Sequence, residues 1–187
     1  MQRVLIYAVM LAERSKLPRP EIRSLVFGTF LHDISLPSTE TSQVPKSRQS
    51  EPDLPKVVTA HPKSGTTLIK PYKWLRGAEQ VILNHHEKYD GTGYPAGKKH
   101  ESIPMAARIF AIADAFDTSA AKLTGDTDGQ LEDVLQEIEK ESGTYFDPVL
   151  TSTFIKYAPA MFKRLSSMDT AQLDKELDAT LKRYFRV

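Results

Sequence analysis

The segment NHHEKYDGTGYPAG, residues 84–97, lies between two stretches with a helical period of apolar residues and lacks that period itself. The stretch before it begins at Pro71. Its residues on one helical face are Trp74, Ala78, Val81, Ile82 and His85. The stretch after it begins at Pro104 and has in phase Ala107, Phe110, Ala111 and Asp114, with Asp117 one turn further on. We therefore predict two helices joined by a polar loop, with histidine and aspartate at the inner faces.

The same helical period recurs along the rest of the chain. Val4 to Ala12 is an apolar helix too short to span a bilayer, and no N-cap precedes it, which suggests that part of the domain lies upstream. One further apolar stripe is Ile22, Leu25, Val26 and Thr29, and it ends at His32 and Asp33. A second is Leu54, Val57, Val58, His61, Gly65 and Leu68, with a kink predicted at Pro62. Two more are Val134, Leu135 and Ile138, and Leu173, Leu177, Leu181 and Phe185. Asp147 and Pro148 predict the N-terminus of another helix, which extends to Lys163. Because no strand pattern is found, we predict an all-α helical bundle with an additional C-terminal helix.

Residues 35–53 interrupt this pattern with SLPSTETSQVPKSRQSEPD, which is rich in Ser, Thr, Pro and Gln. A segment of that length and composition is either mobile or a lid over a site.

Composition narrows the classes of function. The chain has 187 residues, 40% of them hydrophobic, which suits one domain or one domain with an appendage. It has no cysteine, which fits the cytoplasm and leaves any metal to histidine, carboxylate, carbonyl or water ligands. A net charge of +1 argues against binding of a nucleic acid polymer but not of a small anion.

Four of the five histidines lie on inward helical faces together with aspartates, namely His32-Asp33, His61, His85-His86 and Asp114. Each alone could be a hydrogen-bonded residue of the core or surface, and Asp114 could pair with Arg108. Together they predict a metal centre, because burying so many imidazoles and carboxylates unpaired would be costly. Consecutive helical residues project about 100° apart, so we predict that His85 and His86 serve different ions of a two-metal site. We predict that His100, in GKKHES, is a solvated surface residue.

Five motifs in order carry a family resemblance: LHDI at 31–34, AHP at 60–62, NHHEKYDGTGYPAG at 84–97, IPMAARIFAIADAFD at 103–117 and GTYFDP at 143–148. They resemble the HD-GYP domain, a group of metal-dependent phosphohydrolases of the HD superfamily that hydrolyse cyclic di-GMP to linear pGpG or GMP. The resemblance covers residues 1–160, with an incomplete first helix, and leaves residues 161–187 as a C-terminal helical extension.

The resemblance implies roles for individual residues. Its metal ligands would be His32, Asp33, His61, His85, His86 and Asp114, with His32 and Asp33 as the catalytic pair and Asp33 bridging the ions. The ions would be two divalent metals, Fe or Mn first, with Zn, Co, Mg and Ni left open. The implied substrate-binding residues are Asp90, Gly91, Gly93, Tyr94, Pro95 and Lys122. Tyr94 offers a ring for guanine and a hydroxyl for phosphate, or else it is a packing plug over the next helix.

The chain departs from the family pattern after the HD motif. Ser35-Leu36 replaces the usual Gly-Lys, the loop after Asp117 lacks an Arg-Pro-Tyr-Arg element, and a further family histidine would align before Met1. Two functions follow: a cyclic di-GMP phosphodiesterase, or a weak or inactive module that senses cyclic di-GMP or binds a partner such as a GGDEF-type domain. An upstream regulatory module and a homodimer are both compatible with this pattern.

Overall fold

The computed structural model describes residues 1–36, 56–123 and 127–185, and the regular secondary structure within these ranges is helical. The helices are α1 (Gln2–Arg14), α2 (Arg19–Leu31), α3 (Lys56–Ile69), α4 (Glu79–Asn84), α5 (Met105–Ala120), α6 (Thr127–Lys140), α7 (Pro148–Ser166) and α8 (Thr170–Phe185), with 3-10 turns at Lys73–Ala78 and His100–Ser102. In the described ranges, β-pairing is limited to one isolated bridge between Ser142 and Phe146. The predicted all-α fold is confirmed. The segment predicted to be mobile or a lid, residues 35–53, lies outside the described residues from position 37 onward.

Helix α1 forms the centre of the bundle. Every residue from Val4 to Ala12 is buried, as expected for a helix that is apolar on all sides. It packs against α2, α5, α7 and α8. The ring of Tyr7 makes edge contacts with Phe116 at 5.0 Å and Phe154 at 6.3 Å between centroids, which joins α1 to α5 and α7.

Helices α7 and α8 complete the bundle. The Asp147 carboxylate accepts hydrogen bonds from the backbone N–H of Val149 and Leu150, at 2.8 and 3.1 Å, so the predicted cap is confirmed. Asp147 also pairs with Arg108, the residue considered above as a partner for Asp114. The apolar residues predicted on α8 pack against the core. Residue 160 lies inside α7, and the division there stays a prediction.

The predicted stripe before residue 84 is partly wrong. Trp74 is 67% exposed, although Ala78, Val81 and Ile82 are buried. The reason is that Lys73–Ala78 is a 3-10 turn with about three residues per turn, which shifts Trp74 off the face that α4 buries. On α3, Val58, His61 and Gly65 are buried and Leu68 is 52% exposed, while Leu54 and the side chain of Val57 lie outside the described residues.

No helix within the described ranges has the length and apolar character needed to cross a membrane.

Candidate metal centre

Three of the histidines occur where a helix leaves a backbone carbonyl without its usual partner. His32 and His85 directly follow the last residues of α2 and α4, and the last four carbonyls of a helix have no intrahelical donor. His61 lies within α3, directly before Pro62. In each case Nδ1 lies close to the carbonyl oxygen three residues earlier: 2.9 Å to Thr29, 2.5 Å to Val58 and 2.8 Å to Ile82. If Nδ1 donates its proton there, Nε2 is left as the free ligand atom.

The Nε2 atoms of these histidines converge on Asp33. Oδ2 of Asp33 lies 3.3 Å from His32 Nε2, whereas Oδ1 lies 3.3 Å from His61 Nε2 and 3.6 Å from His85 Nε2. The two oxygens of one carboxylate thus face different histidines. His86 lies close to three of these residues. The ligand atoms of Asp33, His61, His85 and His86 all lie within 4.8 Å of one another.

This donor set fits a cation. Nε2 of His61 and Nε2 of His85 are 3.0 Å apart. With both Nδ1 protons given to carbonyls, two lone pairs would face each other at that distance, which is repulsive unless a positive charge lies between them. Imidazole and carboxylate ligands without thiolate suit Fe, Mn, Zn or Co.

The electrostatics favour an ionised carboxylate at Asp33 and neutral imidazoles at His85 and His86. Burial disfavours the charge of Asp33, but the imidazole rings of His32, His61 and His85 beside its oxygens hold its pKa far below the usual range. Burial opposes protonation of His32, yet the carboxylates of Asp33 and Asp114 outweigh it and raise its pKa. Burial lowers the pKa of His85 and, with the neighbouring His85 and His61, lowers that of His86 well below its ordinary value. A neutral imidazole is the form that binds metal.

His86 is supported differently from the other three. His85 and His86 directly follow α4, and the separation of about 100° between consecutive helical residues does not keep them apart. Their ring centroids are 4.0 Å apart, and both belong to the same group of ligand atoms. That geometric argument for two ions is therefore wrong. The His86 ring stacks on Tyr94, with centroids 4.6 Å apart and planes at 21°.

Tyr94 belongs to a loop, residues 87–98, which we call the GYP loop. Glu87, only 2% exposed, accepts hydrogen bonds from the backbone N–H of Ala96 at 2.8 Å and of Lys98 at 2.9 Å. Tyr94 N–H donates to the His86 carbonyl at 3.1 Å. The role of Glu87 has no signature in the sequence, because its partners are backbone groups of a loop without periodicity. Glu87 thus holds the far end of the loop close to the histidines.

The segment before α7 supports the other end of the GYP loop. Tyr89 N–H donates to the carbonyl of Tyr145 at 3.1 Å, and Asp90 N–H donates to that of Thr144 at 2.9 Å. Burial, with Asp114 and Glu141 nearby, raises the pKa of the Tyr145 phenol to about 12. Tyr145 belongs to the GTYFDP motif, in which only Asp147 and Pro148 were predicted to have a role, as the N-terminus of α7. The structure therefore brings this motif to the metal centre.

The predicted substrate-binding residues have mixed environments. The Asp90 carboxylate accepts hydrogen bonds from Thr92 N–H at 2.8 Å and Thr92 Oγ1–H at 2.7 Å, so it stabilises a turn within the loop. Gly91 adopts a φ of +86°, and Pro95 follows Tyr94 through a cis peptide bond. The Tyr94 hydroxyl is buried without a hydrogen-bond partner. Lys122 is exposed just after α5. Their binding of substrate stays a prediction, as does that of Gly93.

A cavity of about 450 Å³ opens beside the centre and brings His32, Asp33 and Asp114 to one surface, together with Met1, Val4, Phe30, Ile34, Asp117 and Thr118. Arg3 lies next to this surface, with its Nε 2.9 Å from Asp117 Oδ1. Lys122 was the cation expected among the substrate-binding residues, and Arg3 was not expected here because α1 is distant from α5 along the chain. His100 is exposed, as predicted.

Comparisons with known proteins identify a family. A family model described as HD domain matches residues 1–150. The cyclic di-GMP phosphodiesterase response regulator RpfG of Xanthomonas campestris is 30% identical over 150 residues, covering 79% of this chain and 40% of the relative. A cyclic di-GMP phosphodiesterase of Thermotoga maritima is 30% identical over 78% of this chain and 40% of its own length. The 3'3'-cGAMP-specific phosphodiesterase 2 of Vibrio cholerae is 28% identical over 83% of this chain and 30% of its own length.

A solved structure of a cyclic GMP-AMP specific phosphodiesterase from Vibrio cholerae aligns with a TM-score of 0.66 and 19% identity, covering 92% of this chain and 49% of that one. It supports the fold. The chain spans less than half the length of these relatives. The family model, which spans most of the chain, and the clustered HD, AHP and HH motifs lead to one conclusion: this chain belongs to the HD domain family.

Proposed function

We propose that this chain is a metal-dependent phosphodiesterase that hydrolyses cyclic di-GMP to linear pGpG, GMP or both. The observation that carries the proposal is the carboxylate of Asp33, whose two oxygens face His32 on one side and His61 and His85 on the other. That arrangement suits a carboxylate shared by two ions. The relatives named as cyclic di-GMP phosphodiesterases support the choice of reaction.

The proposed ligands are His32, Asp33, His61, His85, His86 and Asp114, and Fe or Mn are the ions we propose. Divalent cations of this kind make water a stronger nucleophile and neutralise charge that develops on a phosphate. The chain's own contribution is orientation: the carbonyls of Thr29, Val58 and Ile82 fix three imidazole rings with Nε2 toward the centre. His32 and Asp114 line the cavity, which we propose receives the scissile phosphate.

The second candidate substrate is 3'3'-cGAMP, because several relatives carry that specificity in their names. Both molecules are cyclic dinucleotides with two phosphodiesters, so the same centre would act on either. Residues of the cavity rim and the GYP loop would distinguish the bases.

The alternative to an enzyme is a module that senses cyclic di-GMP or contacts a partner such as a GGDEF-type domain. It is favoured by the change after the HD motif. The Ser35 hydroxyl donates to the carbonyl of His61 at 2.8 Å and so links the end of α2 to α3. Leu36 stands where family members have a lysine, and it cannot stabilise charge on a phosphate.

One experiment separates these functions. The purified chain would be stripped of metal, reloaded with Mn²⁺ or Fe²⁺, and incubated with cyclic di-GMP or 3'3'-cGAMP while products are resolved by chromatography. We expect turnover of cyclic di-GMP and two ions per chain. Asp33→Asn should lower turnover by more than about 100-fold and reduce the metal content, because both sides of the centre share this carboxylate.

His100→Gln is the matched control, since this exposed histidine should leave both quantities unchanged. Binding of cyclic di-GMP without turnover under any metal would reject the enzyme in favour of the sensor. Turnover of 3'3'-cGAMP alone would replace the substrate and keep the reaction.

A further inference from the structure

Pro62 occupies an unusual place for a proline. It is the seventh residue of α3, which runs from Lys56 to Ile69, and it is buried. A proline within a helix has no N–H to donate to the carbonyl four residues earlier, and its ring displaces that carbonyl. Here that carbonyl belongs to Val58. Pro62 therefore leaves the oxygen of Val58 without its regular backbone donor.

The adjacent histidine occupies this oxygen. Nδ1 of His61 lies 2.5 Å from the Val58 oxygen, and His61 is 2% exposed. His32 and His85 make the same contact with carbonyls at helix ends, where such oxygens are free in any case. His61 has no helix C-terminus nearby, because α3 continues to Ile69. In the middle of a helix, a proline is the residue that frees a carbonyl for this contact.

We propose that Pro62 is a positioning residue for His61. By withholding a backbone N–H, it reserves the Val58 oxygen for Nδ1–H and so holds the ring in the tautomer whose Nε2 is unprotonated. That Nε2 lies 3.3 Å from Asp33 Oδ1 and 3.0 Å from His85 Nε2. The proposal rests on the proposed metal centre for its effect on metal binding, but its effect on the tautomer does not require metal.

The test compares Pro62→Ala with Pro159→Ala. Pro159 also lies inside a helix, α7, but Ala158 precedes it and has no ring to use the freed carbonyl. Each substitution restores a helical N–H, so both should raise the melting temperature, by about 5 °C. The ¹⁵N spectrum of metal-free protein labelled at histidine reports the tautomers, and His61→Gln assigns the His61 signal. Titration with Co²⁺, followed by visible absorption, reports metal affinity.

We expect Pro62→Ala to shift His61 toward the Nε2–H tautomer and to weaken Co²⁺ binding by about 10- to 100-fold. Pro159→Ala should change neither. Greater stability together with weaker metal binding would be difficult to explain by a purely structural role for Pro62. Pro62→Gly, which restores the same N–H, serves as a second variant if Pro62→Ala does not fold.

The proposal is overturned if His61 keeps the Nδ1–H tautomer and unchanged Co²⁺ affinity in both Pro62 variants. If the unmodified chain binds no Co²⁺, the proposed function fails, and the tautomer comparison in metal-free protein still decides the role of Pro62.

Discussion

The four histidines of the centre are held by two different regions. His32, His61 and His85 are oriented by the helices that carry them, through a carbonyl three residues earlier. His86 lies beyond the end of α4, and its ring is stacked by Tyr94 of the GYP loop. The first kind of support is local in sequence. The second depends on residues that meet only when the loop has folded.

This difference separates the consequences of mutation. The helix-held histidines lie on elements that are part of the packed bundle, so loosening the GYP loop should leave them in place. His86 should respond to changes in the loop that replace no ligand side chain. Substitutions in residues 87–98 therefore test whether the centre has two separable parts.

The largest expected effect comes from Gly93→Ala. A Cβ at this position would lie 2.3 Å from the Lys88 nitrogen and 2.4 Å from the His86 oxygen, both backbone atoms that cannot rotate away. We expect the loop to be displaced, the free energy of unfolding to fall by about 3 kcal/mol, and Tyr94 to lose its stack on His86. Denaturant unfolding measures the stability. Metal analysis should show loss of one ion while the other remains.

Gly129→Ala on α6 is the control, because a Cβ there would meet nothing within 4 Å. It should raise the free energy of unfolding by about 0.5–1 kcal/mol. Loss of both ions in Gly93→Ala would show that the two regions are not separable.

A smaller effect is expected from Glu87→Gln. The amide keeps one acceptor for Ala96 or Lys98 but turns an NH₂ group toward the other N–H, so one buried hydrogen bond to a charged group is lost. The free energy of unfolding should fall by about 2 kcal/mol. Affinity for the ion at His86 should weaken by about tenfold. Isothermal titration with Mn²⁺ measures this affinity.

Glu101→Gln is the matched control, since this exposed glutamate accepts a hydrogen bond from the hydroxyl of Tyr89, another residue of the loop. It should behave like the unmodified chain. Equal losses in the two variants would mean that Glu87 contributes only general charge and does not anchor the loop.

The helix-held part was predictable from sequence because its determinants are local. Periodicity placed His32, His61 and His85 at the ends or in the middle of apolar faces, and these residues are buried. Their carbonyl partners lie three residues away, and each helix end or proline that frees a carbonyl is visible in the sequence. A helical period of 3.6 residues did not predict the 3-10 turn that exposes Trp74.

The loop-held part and the cavity were not predictable in the same way. Glu87 bonds to backbone groups, which carry no side-chain signature. Arg3 reaches Asp117 from a helix distant along the chain. The argument that separated His85 from His86 failed because the two adjacent rings lie side by side, with centroids 4.0 Å apart. Each of these contacts forms only in the folded chain and leaves no periodic pattern in the sequence.

The smallest effect is expected from Tyr94→Phe, which keeps the ring on His86 and removes only the hydroxyl. That hydroxyl is buried without a hydrogen-bond partner. Removing an unsatisfied buried group should raise the free energy of unfolding by about 1 kcal/mol and leave metal content unchanged. Tyr184→Phe is the contrasting control, because its hydroxyl donates to Glu13 and its loss should lower stability by a similar amount. If stacking is the whole contribution of Tyr94, turnover of cyclic di-GMP will be unchanged in Tyr94→Phe. A fall of tenfold or more in kcat/KM with metal retained would instead assign the hydroxyl to the substrate phosphate, and the GYP loop would then bind substrate as well as support His86.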